Sequence, residues 1–205
     1  MQKAKYHLTQ SLLSAWLYGL KSEEGYESFL KSLRREKIPE TEAMRNGIQF
    51  ENLVNGVLNG AYLPQDCKWY KGVMATSQYL HGTIQQVNIY RDIEVEGITF
   101  TLNGRLDFLG HGIIYDTKFT QNYHLNKYLG SPQHPMYFYL CPDAYEFQYL
   151  ACDGKFVYRE IYRPEDVTPI EITIKQFMDF LDRQNLIELY TSVWDTDVIY
   201  KKKEN

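Results

Sequence analysis

Apolar residues recur with a helical period through the first third of the chain and with a strand's alternation through the middle. Leu12, Leu13, Trp16, Leu17 and Leu20 share one face of a helix predicted from Thr9 to about Leu20, with the Thr9 hydroxyl as its cap. A more charged helix follows from about Ser22 to Arg35. Pro39 then breaks the chain, and Thr41 caps a longer helix to about Leu58, ended by Gly60 and Pro64. Residues 69–81 fit a short helix or a strand. From Ile84 the pattern becomes extended, with strands over 84–95, 98–109 and 112–119 and turns at Gly97 and His111-Gly112. Residues 124–140 read as a loop and a short helix starting near Pro132. Two strands, 145–151 and 155–162, are joined by Cys152-Asp153-Gly154, and an amphipathic helix over 171–190, capped by the acid or threonine upstream, closes the pattern. This order predicts an α/β fold: a central mixed sheet flanked by helices, with an N-terminal helical addition. The length of 205 residues suits a single domain, divided into a helical part (1–60), a sheet core (84–163) and a C-terminal helix (171–190).

The sharpest departure from ordinary patterning lies inside the strands. Asp116 and Lys118 sit two apart and so project from one face, directly after the apolar, β-prone run Ile113-Ile114-Tyr115. A charged pair with that lead-in is costly unless paired or used. If His111-Gly112 turns a hairpin, Asp107 comes alongside Asp116. Two carboxylates and an ammonium then converge, the set that metal-assisted phosphodiester hydrolysis requires. Upstream, Glu51 shares a helical stripe with Met44, Gly47, Ile48, Asn55 and Leu58, and Gly47 would admit a close backbone approach. Downstream, Gln133 and Tyr137 are four apart on a helix.

Each residue also has an ordinary structural reading: Glu51 bonded to Arg45, Asp107 to Arg105, Asp116 to Lys118 as an exposed edge-strand pair, Gln133 and Tyr137 as core-edge polarity. A second acid-then-Asp-x-Lys series, Asp143 followed by Asp153-Gly154-Lys155, falls on a turn, which is solvated and holds ligands poorly. His7, His81, His111, His124 and His134 show no ligand spacing and read as loop or surface residues.

Composition narrows the function classes. A formal charge of −4 argues against a general basic coat for nucleic acid, so any such potential is local, with Lys31, Arg34, Arg35, Lys37 and Lys201 to Lys203 as basic candidates. The 18 tyrosines suit an aromatic core, an interface or base stacking. Three cysteines without C-x-x-C spacing indicate neither a disulfide framework nor a zinc or iron–sulfur site. The sequence shows no signal peptide and no membrane-spanning run, so a cytoplasmic protein without membrane partners is expected.

The ordered set Gly47 to Glu51, Gly104 to Asp107, Asp116 to Lys118 and Gln133 to Tyr137 resembles the PD-(D/E)xK nuclease superfamily, in its RecB-like and phage exonuclease-like branches. The likeness spans residues 40–160. It implies a restriction-endonuclease-like core and a metal-dependent deoxyribonuclease, an exonuclease in recombination, repair or phage replication. In that resemblance Asp107 and Asp116 bind Mg²⁺, or Mn²⁺ in its place, together with the backbone carbonyl of Thr117. Glu51 completes the metal site or holds a second ion from the helix, Lys118 orients the attacking water or stabilises charge on the phosphate, and Gln133 and Tyr137 support the site or position the strand. DNA is the implied partner, with a homo-oligomer or a recombination protein as further ones. The chain departs from the family pattern in having Leu106 before Asp107, Asp at 116, no iron–sulfur cysteines, so no cluster is expected, and no histidine in the helical motif. The alternatives are a catalytically inactive nucleic-acid-binding module on the same fold and a protein-interaction domain.

Overall fold

The computed structural model describes residues 5–196. They form a mixed six-stranded sheet with helices on both faces. In chain order these are β1 (Lys5–Thr9), α1 (Gln10–Gly19), α2 (Glu23–Leu33), α3 (Glu42–Leu58), α4 (Tyr70–Tyr79), β2 (Ile84–Val95), β3 (Ile98–Gly110) and β4 (Ile113–Phe119). They are followed by α5 (Gln133–Leu140), β5 (Glu146–Cys152), β6 (Val157–Tyr162), a 3₁₀ turn (Pro164–Asp166), α6 (Ile170–Arg183) and α7 (Ile187–Trp194). No helix among the described residues is long and apolar enough to cross a membrane.

Local chemistry explains most of these boundaries. The Thr9, Ser22 and Thr41 hydroxyls accept from Leu12 N, Gly25 N and Met44 N, satisfying donors that each helix start would otherwise orphan. Residues 69–81, ambiguous in sequence, hold helix α4, whose Val73 and Thr76 are buried. The expected helix over 171–190 is instead two, α6 and α7, broken where Asn185 takes a left-handed φ of 55°. Pro169 precedes α6, and no side chain caps it. β1 was not expected. It is too short to carry a period of its own and exists because it pairs in parallel with residues 99–103 of β3.

β3 organises the sheet. Along one edge it pairs with β2 over nearly its whole length, and the hairpin turns through Glu96 and Gly97, with φ of 50° and 80°. Its other edge is shared: β1 takes residues 99–103, and β4 takes residues 108–110. The β3–β4 hairpin turns on His111 and Gly112, with φ of 54° and 75°, the paired left-handed residues that a two-residue connection matching strand twist demands. β5 then lies parallel to β4 after the α5 crossover, and β6 closes the far edge antiparallel to β5.

Two apolar clusters cover the two faces. The larger joins α1, α2, α5, α6 and α7 around Leu8, Trp16, Phe29, Phe100, Leu106, Phe147, Phe177 and Tyr190; the smaller gathers Phe50 and Val54 of α3 with Trp69, Val73, Phe108 and Leu150. Leu106 packs in the larger cluster, Phe108 in the smaller, and Leu109 on the larger again, so the pleat changes phase at Asp107. The β2 ladder skips the Gln86–Asp107 pair there, and Gln86 takes a left-handed φ of 54°.

Gly104 admits α5 onto this strand. A Cβ there would meet the Tyr137 ring at 2.7 Å and Leu140 at 2.8 Å. Gly104→Ala is therefore expected to cost about 1–3 kcal/mol through overpacking, read as a lower midpoint in urea denaturation.

Candidate functional site

The β3–β4 register sets the site. Phe108 pairs with Tyr115 and Leu109 with Ile114, so the next cross-strand neighbours along the hairpin are Asp107 and Asp116. β4 lies between β3 and β5, and Asp116 is only 1 % exposed. That position excludes the exposed edge-strand ion pair.

Further groups surround this pair of acids. The Lys118 ammonium lies 2.6 Å from Asp116 Oδ2 and 5.9 Å from the Tyr149 ring centroid. Gln133 Nε2 donates to Asp116 Oδ1, and Tyr137 Oη donates to the Arg105 carbonyl at 3.0 Å, in the stretch of β3 between its β1 and β4 pairings. Glu51, half-buried on α3, adds its charge to those acting on Asp107 and Lys118. Thr117 is buried beside Asp116.

The local assumptions about Glu51 and Asp107 need correction. Gly47 has nothing within 4 Å of its would-be Cβ, so it admits no close approach. Met44 and Ile48 are exposed, and the buried face of α3 runs through Phe50 and Val54 instead. Arg45 donates to the Glu40 carbonyl, not to Glu51. Arg105 donates to Gln86, not to Asp107. Asp143 and Asp153 lie outside the site: the Asp153 carboxylate accepts from Lys155 N and Phe156 N, both at 2.8 Å, in the β5–β6 turn.

The electrostatics are those of crowded acids. Burial, then the charges of Asp116 and Glu51, push the Asp107 carboxyl up to about 8 against the pull of Lys118. For Lys118, desolvation pulls the ammonium down, but Asp116, Asp107 and Glu51 together hold it above its ordinary value, so it stays a cation. Burial, then Asp116, raises the Tyr137 and Tyr149 hydroxyls, which remain neutral donors. Fully ionised, three carboxylates face one ammonium, an excess of two negative charges. Hard oxygen donors with that deficit suit a divalent cation of the Mg²⁺ type, which binds through one or two carboxylates and keeps waters. Among the described residues, no three acidic, imidazole or thiol groups already form a cation cage. Asp116 Oδ2 is turned to Lys118 instead.

A supporting layer escaped the sequence reading. His134 is buried, not a surface residue: it stacks on Tyr162 with centroids 4.2 Å apart and shares a 3.3 Å hydrogen bond with Tyr149 Oη. His7 is likewise buried, in β1. Glu160 on β6 is 4 % exposed; its carboxylate accepts from Lys127 N (2.9 Å), Tyr128 N (3.2 Å) and Tyr162 Oη (2.6 Å). It thereby anchors the loop between β4 and α5. No local signal marks Glu160, whose backbone partners lie more than thirty residues away.

Two outcomes test these electrostatics. At pH 9 with a chelator, Asp107→Asn melts several degrees above the parent, because one of the crowded charges is gone; added Mn²⁺ raises the parent's melting temperature and leaves the variant's in place. Burial also holds the His134 imidazole down to about 4 from an ordinary 6.5. Its contribution to stability is complete above pH 6.5 and is lost as pH falls toward 4, because the unfolded chain takes up that proton first. In His134→Phe, the acid limb of a stability-versus-pH curve is flatter over that window, by at most about 3 kcal/mol.

No protein-family model and no curated protein matches the chain. Among solved structures, one described as "Crystal structure of SSO0001" is similar over 90 % of this chain and 79 % of that one, with 14 % identity and a TM-score of 0.49.

Proposed function

We propose that the chain is a divalent-metal-dependent deoxyribonuclease on a restriction-endonuclease-like core, acting as an exonuclease in DNA recombination, repair or phage replication. The observation that supports this reading is the convergence of half-buried Asp107 and buried Asp116, next to the last β3–β4 pair, with Lys118 on Asp116 and Glu51 nearby, three acids around one ammonium. Asp107, Asp116, Glu51 and the Thr117 carbonyl are the residues that would hold Mg²⁺ or Mn²⁺. Bound there, the ion lowers the pKa of a water and offsets charge on the phosphate.

The chain's own groups supply the rest. Gln133 fixes the orientation of the Asp116 carboxylate through its amide. Tyr137 holds the backbone of β3 beside Asp107 through the Arg105 carbonyl. Lys118 keeps its proton and presents a compact cation to the attacked phosphate without competing for the metal. The partner is DNA, joined by a second copy or a recombination protein, in the cytoplasm.

One observation favours a second reading, a nucleic-acid-binding module without hydrolysis: Asp116 is already engaged by both Lys118 and Gln133. Incubation with labelled linear and circular DNA in Mn²⁺ separates the two. Shortening of linear DNA, reduced ~10²-fold or more in Lys118→Ala and in Asp116→Asn, is expected. Retention of DNA without cleavage would establish the silent module instead, and cleavage indifferent to both variants would sink the assignment of this site.

A further inference from the structure

A cleft of about 380 Å³ lies between the first turns of α3 and the loop after β4. Glu42 and Asn46 line one wall, Thr120, Asn122 and Lys127 the other, and Phe119 the base. The loop that carries Lys127 also reaches the candidate site: Tyr128, the next residue, stacks on the Tyr149 ring with centroids 4.6 Å apart, and the Lys118 ammonium lies over that same ring.

The cleft's cation is unusually placed. The Lys127 ammonium donates to Thr120 Oγ1 and, at 2.6 Å, to the Asn122 carbonyl, both neutral acceptors. It pairs with no carboxylate among the described residues, although its own backbone N–H is bound by the buried Glu160. Two uncharged oxygens and an anchored backbone thus fix a positive charge in a polar cleft without neutralising it. Such a lysine suits a phosphoryl group, to which it offers a point charge. Amide groups of Asn46 and Asn122 and the Phe119 ring, packed on Trp69 with centroids 4.6 Å apart, offer hydrogen bonds and an aromatic surface for the rest of a nucleotide.

We infer that this cleft is a subsite for one unpaired nucleotide next to the bond attacked, with Lys127 on its phosphate and Glu160 as the positioning residue that sets Lys127. The inference rests on the nuclease reading for its choice of substrate, and it makes that substrate single-stranded at the site. The volume falls in the range of small-ligand clefts, room for one splayed nucleotide.

Fluorescence anisotropy of a short labelled oligothymidylate on the full-length Asp116→Asn chain tests it. Adding Lys127→Ala is expected to weaken binding about tenfold and to lower the salt slope by about 0.7, while Lys127→Arg retains most of the affinity. Lys175→Ala, an equal change of charge at the Glu96 ion pair, leaves binding unchanged. The duplex of the same sequence binds more weakly, and thymidine monophosphate competes better than inorganic phosphate. Glu160→Gln, still folded by its melting curve, shows a weakened affinity for the oligonucleotide that the Asp116→Asn background does not mask. Affinity indifferent to Lys127→Ala, or equal competition by inorganic phosphate, overturns the subsite. Parallel cleavage assays separate the two failures: cutting with a KM unmoved by Lys127→Ala removes the subsite and keeps the nuclease, whereas Lys127-dependent binding without cutting removes the nuclease and keeps the subsite.

Discussion

Half-buried Asp107 and fully buried Asp116 are set side by side by the β3–β4 hairpin, and the rest of the site follows from their repulsion. A carboxylate pair in a sheet interior is tolerated only when hydrogen bonds and opposite charges surround it or a proton or cation is shared. Here the answer is layered. Gln133 and Lys118 engage Asp116, while Asp107 is left with a carboxyl that resists ionisation. Asp107 is the unsettled member, and it is also the one at which the β3 ladder is interrupted.

That interruption has a geometric consequence. A strand that kept strict alternation would carry Asp107 on the face of Arg105 and turn Leu106 and Phe108 to the same cluster. The pleat changes phase instead, with Leu106 and Leu109 on the larger cluster and Phe108 on the smaller. The left-handed Gln86 opposite absorbs the distortion at a conformational cost, and Arg105 donates to its side chain. Gly104, just upstream, lets Tyr137 descend onto the same stretch. Gly104 and Asp107 are thus coupled through the path of the strand: one admits the helix, the other stands where the ladder opens.

How far this was legible depended on whether the determinants were local. His111-Gly112 and Glu96-Gly97 are two-residue turns whose backbone demands are written in the residues themselves, so the hairpins, and with them the Asp107–Asp116 pairing, could be read. The helix starts at Thr9, Ser22 and Thr41 were readable for the same reason. β1 was not, because its reason to exist is a partner more than ninety residues away. Nor was the burial of His134, which depends on Tyr149 and Tyr162 closing over it from β5 and β6. The apolar stripe does not explain Glu51, since Met44 and Ile48 on it are exposed and Gly47 is open. Glu51 reaches the acids because Phe50 and Val54 anchor α3 in the smaller cluster.

The same distinction explains why Glu160 passed unnoticed. On β6 it reads as one polar residue in an alternating strand, yet it is buried, and it accepts two backbone N–H groups and a tyrosine hydroxyl. A carboxylate so used is an anchor for a segment without secondary structure of its own. The segment it anchors carries Tyr128 onto Tyr149, with centroids 4.6 Å apart, and leads into Gln133 through the Ser131 hydroxyl, which accepts from Gln133 N at 3.2 Å. The chain of contacts therefore runs from β6 across the loop to Asp116. The site is built from two kinds of support: a hairpin whose register is set by local turn chemistry, and a loop whose position is set by one distant buried acid. The first fixes where the charges stand. The second fixes which side chains, Lys127 among them, stand next to those charges.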